Sequence, residues 1–402
     1  MKILVLSPKP PWPPHDGGAV ATMWCVEGLA AGGAIVSVLA MRTEKHGAGS
    51  GPSSKPPAWL HYYDTVAVDT RIRPVRMLAN LLFSNEPYDL QRFRAKEYSE
   101  VLRSLLLRER FDIIQCEGLL FSYYIDEIRS VTATPLILRA HNVEHRIREM
   151  MAELATVPAE KDYLKILARR LQKRELFASG QFDAIIPISE PDFQWFKSAA
   201  PDKPIMLSET GATVSEPVSE TVSTGMRVGF IGALNWQPNL DGLKWFVSGV
   251  WPRVLRSLPD ATFHIAGRGA PANVKARTSG KNIFLEGEVE DANRFVGSMT
   301  VMIAPLFAGS GLRMKIIEAM SLGKTVVATP VAAEGLPVED HRELLIGADA
   351  VSFSDALISA LSDPGLRASI GARARELVRE KFDNMKQTSQ LLEFYKKLCD
   401  GR

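Results

Sequence analysis

Short apolar runs rich in β-branched residues, each followed by a stretch long enough for a helix, recur along nearly the whole chain. The first half carries them at Ile3–Ser7, Ala34–Leu39, Thr65–Val68, Phe111–Cys116, Pro135–Arg139 and Ala184–Ile188. A strand covered on both faces shows an unbroken apolar run, and joining parallel strands requires a crossover, usually helical. The pattern therefore predicts an open parallel α/β sheet. It breaks at Glu209–Gly225 (ETGATVSEPVSETVSTG), which has no apolar periodicity and reads as a linker. It then restarts at Arg227–Ile231, Thr262–Ala266, Asn282–Leu285, Val301–Ala304 and Thr325–Ala328. The amphipathic tail from Ala368 to Lys397 is interrupted near Phe382-Asp383-Asn384 and reads as two helices. The expected architecture is α/β with two Rossmann-like domains, 1–208 and 226–380. A linker at 209–225 joins them, and a C-terminal helix at 381–402 packs back on the N-terminal domain.

Composition narrows the function. A length of 402 residues suits two cores rather than one. Lys+Arg 48 against Asp+Glu 46 leaves a net charge of +2, too little to favour nucleic acid as a partner. Cys25, Cys116 and Cys399 are far apart and form no CxxC pair, which argues against a zinc site or a disulfide framework and fits a reducing cytoplasm. The apolar start MKILVLSPKPPWPP is broken by prolines too early for a signal-peptide core, and no later run approaches the roughly 20 residues of a membrane span.

The densest chemistry lies in Ala308–Thr329, AGSGLRMKIIEAMSLGKTVVAT. A loop of Gly309-Ser310-Gly311 opening a helix presents unpaired N–H groups and positive partial charge, a cradle for phosphate oxygens. Arg313 and Lys315 fall in the expected first turn, where the helix dipole disfavours cations unless an anion offsets the cost. Glu318, two turns into that helix, is placed to accept adjacent hydroxyls such as those of ribose.

The glycine loop, Glu318-Ala319-Met320, the Gly323-Lys324 turn and Val326-Val327-Ala328-Thr329 together resemble the donor-binding helix of family 4 glycosyltransferases, which have the two-Rossmann GT-B fold. Further matches follow in family order: Gly17-Gly18, Ile188-Ser189-Glu190, Phe230-Ile231-Gly232, the run from His264 to Gly269, and Phe284 to Val289. The resemblance implies two domains facing across a cleft and a nucleotide-diphosphate-sugar donor. Gly232, Asn235, Gly267, Val289, Gly309, Ser310, Gly311, Leu312 and Glu318 would hold it. Arg313 and Lys315 would neutralise the departing diphosphate. It places His141 against the sugar, with Asp16, Gly17, Gly18 and Glu190 on the acceptor side; Glu190 is equally suited to cap the helix begun by Pro191. Transfer would retain anomeric configuration.

The sequence departs from the family in two places. A glutamate often found eight positions before Glu318 is replaced by Ser310, and Gly232–Asn239 lacks the Arg and Lys that often grip the diphosphate there. His141 and His145 share helical spacing beside Glu144, but no third metal ligand is evident, and no Asp-x-Asp occurs anywhere. Catalysis is expected without metal or cofactor. Trp236, Trp245 and Trp251 are expected to pack in the core or between domains.

In Arg71–Phe83 three arginines precede an apolar run, and Lys161–Arg174 packs basic residues with leucines at helical spacing. They read either as solvated faces or as surfaces that lie on an anionic membrane. The expected protein is thus a cytoplasmic glycosyltransferase, a candidate for peripheral association at the inner membrane face, acting on a glycan or lipid-linked glycan. The rival readings are a nucleotide-sugar 2-epimerase, a non-catalytic sugar-nucleotide-binding protein and, on weaker grounds, an NAD-dependent oxidoreductase. The last lacks a GxGxxG in the first βα turn.

Overall fold

A computed structural model describes residues 1–14, 16–44, 56–212, 225–270, 282–309 and 312–401. Two compact units emerge, one of residues 1–211 with 310–312 and 384–402, the other of 212–309 with 313–383. The chain leaves the first unit between Gly211 and Ala212, inside the segment expected to be linker. Residues 209–211 are bound into the first unit by their contacts. Thr210 accepts a hydrogen bond from Arg139, and a Cβ on Gly211 would lie 2.3 Å from the Cα of Asn384. Residues 213–224 lie outside the described part.

The first unit holds a six-stranded sheet of β1 (Lys2–Ser7), β2 (Ile35–Arg42), β3 (Tyr62–Ala67), β4 (Ile113–Glu117), β5 (Leu136–Ala140) and β6 (Ala184–Pro187). Every pairing is parallel, in the order β3-β2-β1-β4-β5-β6. Alternate residues of β1 feed separate cores: Leu4 and Leu6 face one, Ile3 and Val5 the other. This two-sided burial is why the strand sequence is apolar throughout rather than alternating. Helix Asn384–Asp400 belongs to this unit, adding Leu391, Leu392 and Tyr395 to the core under helix Gly17–Ala31. Helix Pro364–Lys381 stops at Phe382, so the break near Phe382-Asp383 separates the units as well as the helices.

The second unit repeats the plan with β7 (Arg227–Ile231), β8 (Thr262–Ala266), β9 (Ile283–Gly287), β10 (Val301–Ala304), β11 (Val326–Ala328) and β12 (Leu345–Ile346). Its order is β12-β11-β10-β7-β8-β9, again with all pairings parallel. Two glycines are required by close backbone approach. A Cβ at Gly242, in helix Gln237–Trp245, would sit 1.7 Å from the carbonyl oxygen of Pro305. At Gly267, with φ +151°, it would sit 1.9 Å from that of Gly232.

In each sheet the chain runs outward in one direction and then returns to the other side of its first strand. The reversal falls between β1 and β4 in the first unit, and between β7 and β10 in the second. Open α/β sheets bind their ligands beyond the carboxyl ends of the strands at such a point.

Candidate functional site

In the first unit, β4 ends in Glu117, whose side chain is fully buried. Its carboxylate accepts from Arg139 Nη1 at 3.0 Å, Thr22 Oγ1 at 3.2 Å and His141 Nε2 at 2.5 Å, and from Gln115 as well. Arg139 passes its second nitrogen to Thr210 at 3.1 Å, and Tyr395 donates to Gln115. Burial alone would push the Glu117 carboxyl up, but the charge of Arg139 and the donors His141 and Gln115 outweigh it and hold the carboxyl well below its usual range. Burial pushes His141 down against the opposing pull of Glu117, and its Nε2 donates to that carboxylate. The 3.4 Å approach of Arg139 to that same nitrogen is then a contact, since neither atom can accept.

His141 thus stands just past β5 with its ring fixed by a buried anion. Lys9, two residues past β1, reaches Asp16 at 2.6 Å, and Asp16 caps helix Gly17–Ala31 by accepting from the Ala19 N–H at 2.9 Å. A Cβ on Gly18 would meet the Lys9 Nζ at 2.9 Å, so the glycine makes room for the cation. Gly17 is exposed beside it. Glu190 is the exposed first residue of helix Glu190–Ala199 and bonds Gln194; the cap belongs to Ser189, whose hydroxyl accepts from the Asp192 N–H.

His145 does not join His141. Its Nδ1 meets Glu175 at 2.5 Å, and the same carboxylate accepts the backbone N–H groups of Glu144 at 2.7 Å and His145 at 3.2 Å. Glu175, on helix Pro158–Gln181, therefore caps helix Glu144–Leu154 from outside. Among the described residues no three His, Cys, Asp or Glu side chains converge as a metal site.

In the second unit the reversal point is built by the loop after β7 and the loop after β10. Gly232 donates its N–H to Ala266, and Asn239 bonds the Ala233 carbonyl at 2.9 Å. Asn235 is exposed beside Gly269, and Gly267 turns the chain after β8. Val289, two residues beyond β9, is half-buried. From the other side, Gly309 at φ +142° lets the chain pass over Arg313, whose Nη2 would lie 3.1 Å from a Cβ there. Ser310 and Gly311 lie outside the described residues, and Leu312 directly precedes Arg313.

The helix begins at Met314 and runs to Ser321, three residues later than the glycine loop suggests. Arg313 consequently occupies the N-cap position, and Glu318 stands one turn in rather than two. Arg313 is buried, with Nη2 3.4 Å from the Val331 carbonyl. Lys315 folds inward: its Nζ lies 4.5 Å over the Phe230 ring and 3.1 Å from Asn239 Oδ1, bridging the two loops. Burial and the neighbouring Arg313 push its ammonium down to about 7, and burial lifts the Glu318 carboxyl to about 7. No ion pair holds that carboxylate among the described residues. Of the three tryptophans, Trp251 is buried and Trp245 packs on Phe307 and Phe353. Trp236 departs from the expected packing role, being 38% exposed with its ring edge toward Gly309.

Residues 225–363 match the family model described as Glycosyl transferases group 1. The protein is a glycosyltransferase. Apart from residues 310–312, the matched span lies within the second unit. Over 97% of its length and 98% of the relative's, this glycosyltransferase is 24% identical to an uncharacterized 44.6 kDa protein in the cps region of Klebsiella pneumoniae. It is 32% identical over 151 residues to a phosphatidyl-myo-inositol mannosyltransferase of Mycolicibacterium smegmatis, spanning 36% of this chain and 39% of that one. A mutant of S. aureus TarM, solved in complex with Fondaparinux, alpha-GlcNAc-glycerol and UDP, superposes with a TM-score of 0.70 at 11% identity over 98% of this glycosyltransferase and 100% of TarM. The fold is therefore GT-B, as the two six-stranded parallel sheets indicate.

Sequence reasoning missed Glu117, Arg139 and Lys9. A signal existed for the first two, because an acid and a base inside otherwise apolar strands must find partners when buried. Lys9 carried none, since a lysine in a Pro-rich loop is ordinarily solvated.

Proposed function

We propose that the protein moves a sugar from a nucleotide-diphosphate-sugar to a glycan or lipid-linked glycan, with retention of configuration and without a bound metal. The observation that carries this reading is the group of Arg313, Lys315 and Glu318 at the reversal point of the second sheet. Two cations there meet the charge that develops on a departing diphosphate, and Glu318 accepts the ribose hydroxyls. Gly232, Gly267 and Gly309 bring backbone close to the ligand. His141, its ring fixed by Glu117, orients the sugar as a hydrogen-bonding group rather than as a nucleophile. The UDP bound by TarM supports a uridine donor, and the mannosyltransferase relative supports a lipid acceptor.

A calorimetric screen of UDP, GDP and ADP tests the donor site. One nucleotide is expected to bind, and Glu318→Ala to weaken it about tenfold, the scale of one lost charge-assisted hydrogen bond. If none of the three binds, or the variant binds as the parent does, the donor assignment is wrong.

Lys315 adds a pH signature. With its ammonium pushed down to about 7, raising pH discharges it where the diphosphate would lie, so nucleotide affinity should fall as pH rises from about 7 toward about 9. Glu318→Gln protein isolates this effect by removing the other group that titrates in the same range. A flat affinity profile in that background would show that Lys315 does not face the phosphates.

A further inference from the structure

We propose that two neighbouring helices of the first unit, Pro74–Phe83 and Pro158–Gln181, form a docking surface for an anionic phospholipid membrane. Helix Pro74–Phe83 buries only Asn80. Val75, Leu78, Leu82 and Phe83 lie along its outer side, joined by Ile72 just before it, and are between 56% and 87% exposed. Scattered exposed apolar residues need no explanation, but a continuous stripe of this kind on one helix does.

Charge decides what covers the stripe. Arg71 and Arg73 are both paired with Asp69 and contribute little outward field. Arg170 is also committed, holding the Asn80 and Leu81 carbonyls and so fixing the end of the apolar helix beside helix Pro158–Gln181. On the outer face of that second helix, Lys165, Arg169 and Lys173 are exposed and have no acidic partner among the described residues; Asp162 is the acid on this face. Exposed Ile166, Leu176 and Phe177 alternate with them. Apolar side chains flanked by unneutralised cations match the acyl boundary and headgroups of an anionic bilayer, with each basic group near the surface adding to the attraction. No described helix is long and apolar enough to cross a membrane, so the contact lies on the surface.

The test is cosedimentation of the intact protein with vesicles of phosphatidylglycerol and phosphatidylcholine, against phosphatidylcholine alone. Binding to the anionic vesicles only, lost at high salt, is expected. The exposed double variants Leu82→Ser/Phe83→Ser and Lys165→Glu/Arg169→Glu should each weaken it about tenfold or more while keeping the parent's thermal melt. Unchanged binding by either variant, equal binding to neutral vesicles, or none at all would overturn the proposal. So would a concentration-dependent dimer that Leu82→Ser/Phe83→Ser abolishes without vesicle binding, because a second copy would then be what covers the stripe. Both variants leave the donor residues untouched, so nucleotide binding separates a failure of this surface from a failure of the donor site.

Discussion

Arg313→Ala is expected to lower turnover about a hundredfold, the loss seen when a preorganised group facing developing charge is removed. The side chain is buried, anchored on the Val331 carbonyl and covered by the Gly309 backbone, so its guanidinium would already be fixed before a donor arrived. Arg313→Lys should recover little, because an ammonium lacks the planar fork that grips two phosphate oxygens. Guanidinium added to the Arg313→Ala protein should restore part of the rate, a rescue that a purely structural defect would not show. Steady-state turnover within twofold of the parent would remove Arg313 from the chemistry.

Glu117→Ala should cost about 3–5 kcal/mol of stability, the range for breaking a buried charge pair from one side. Arg139 is only 1% exposed, and without Glu117 its charge would face the core uncompensated. Glu117→Gln should cost less, keeping an oxygen for Thr22 and His141 while losing the charge. Urea unfolding of the two variants measures the difference. A loss of less than about 1 kcal/mol for Glu117→Ala would mean that the network relaxes freely and does not hold His141.

Much of the fold was legible because its strands are buried on both faces. Arg227–Ile231, Thr262–Ala266 and Val301–Ala304 coincide with the predicted runs residue for residue. The two-residue β12 at Leu345–Ile346 is too short to show a period and was not predicted. Of the candidate site, residue type alone singles out Arg313 and Lys315, whereas their placement is decided by tertiary packing. No pattern in the sequence indicates that the helix waits until Met314, or that Lys315 turns inward to Phe230 and Asn239. The buried relay from Tyr395 through Gln115 to Glu117 joins residues 280 positions apart and then a strand neighbour two along. Only the folded chain brings such partners together.

That relay, with the Asn384 amide bonded to the Trp24 carbonyl, bears on the order in which the polypeptide can mature. The second unit is encoded as one uninterrupted stretch from 212 to 383, apart from the short passage 310–312, whereas the first is split around it. During synthesis the second unit can close as soon as its own residues have emerged. The first must hold Gln115 and the surface of helix Gly17–Ala31 without their partners until residues 384–400 follow. The N-terminal half is made first and completed last.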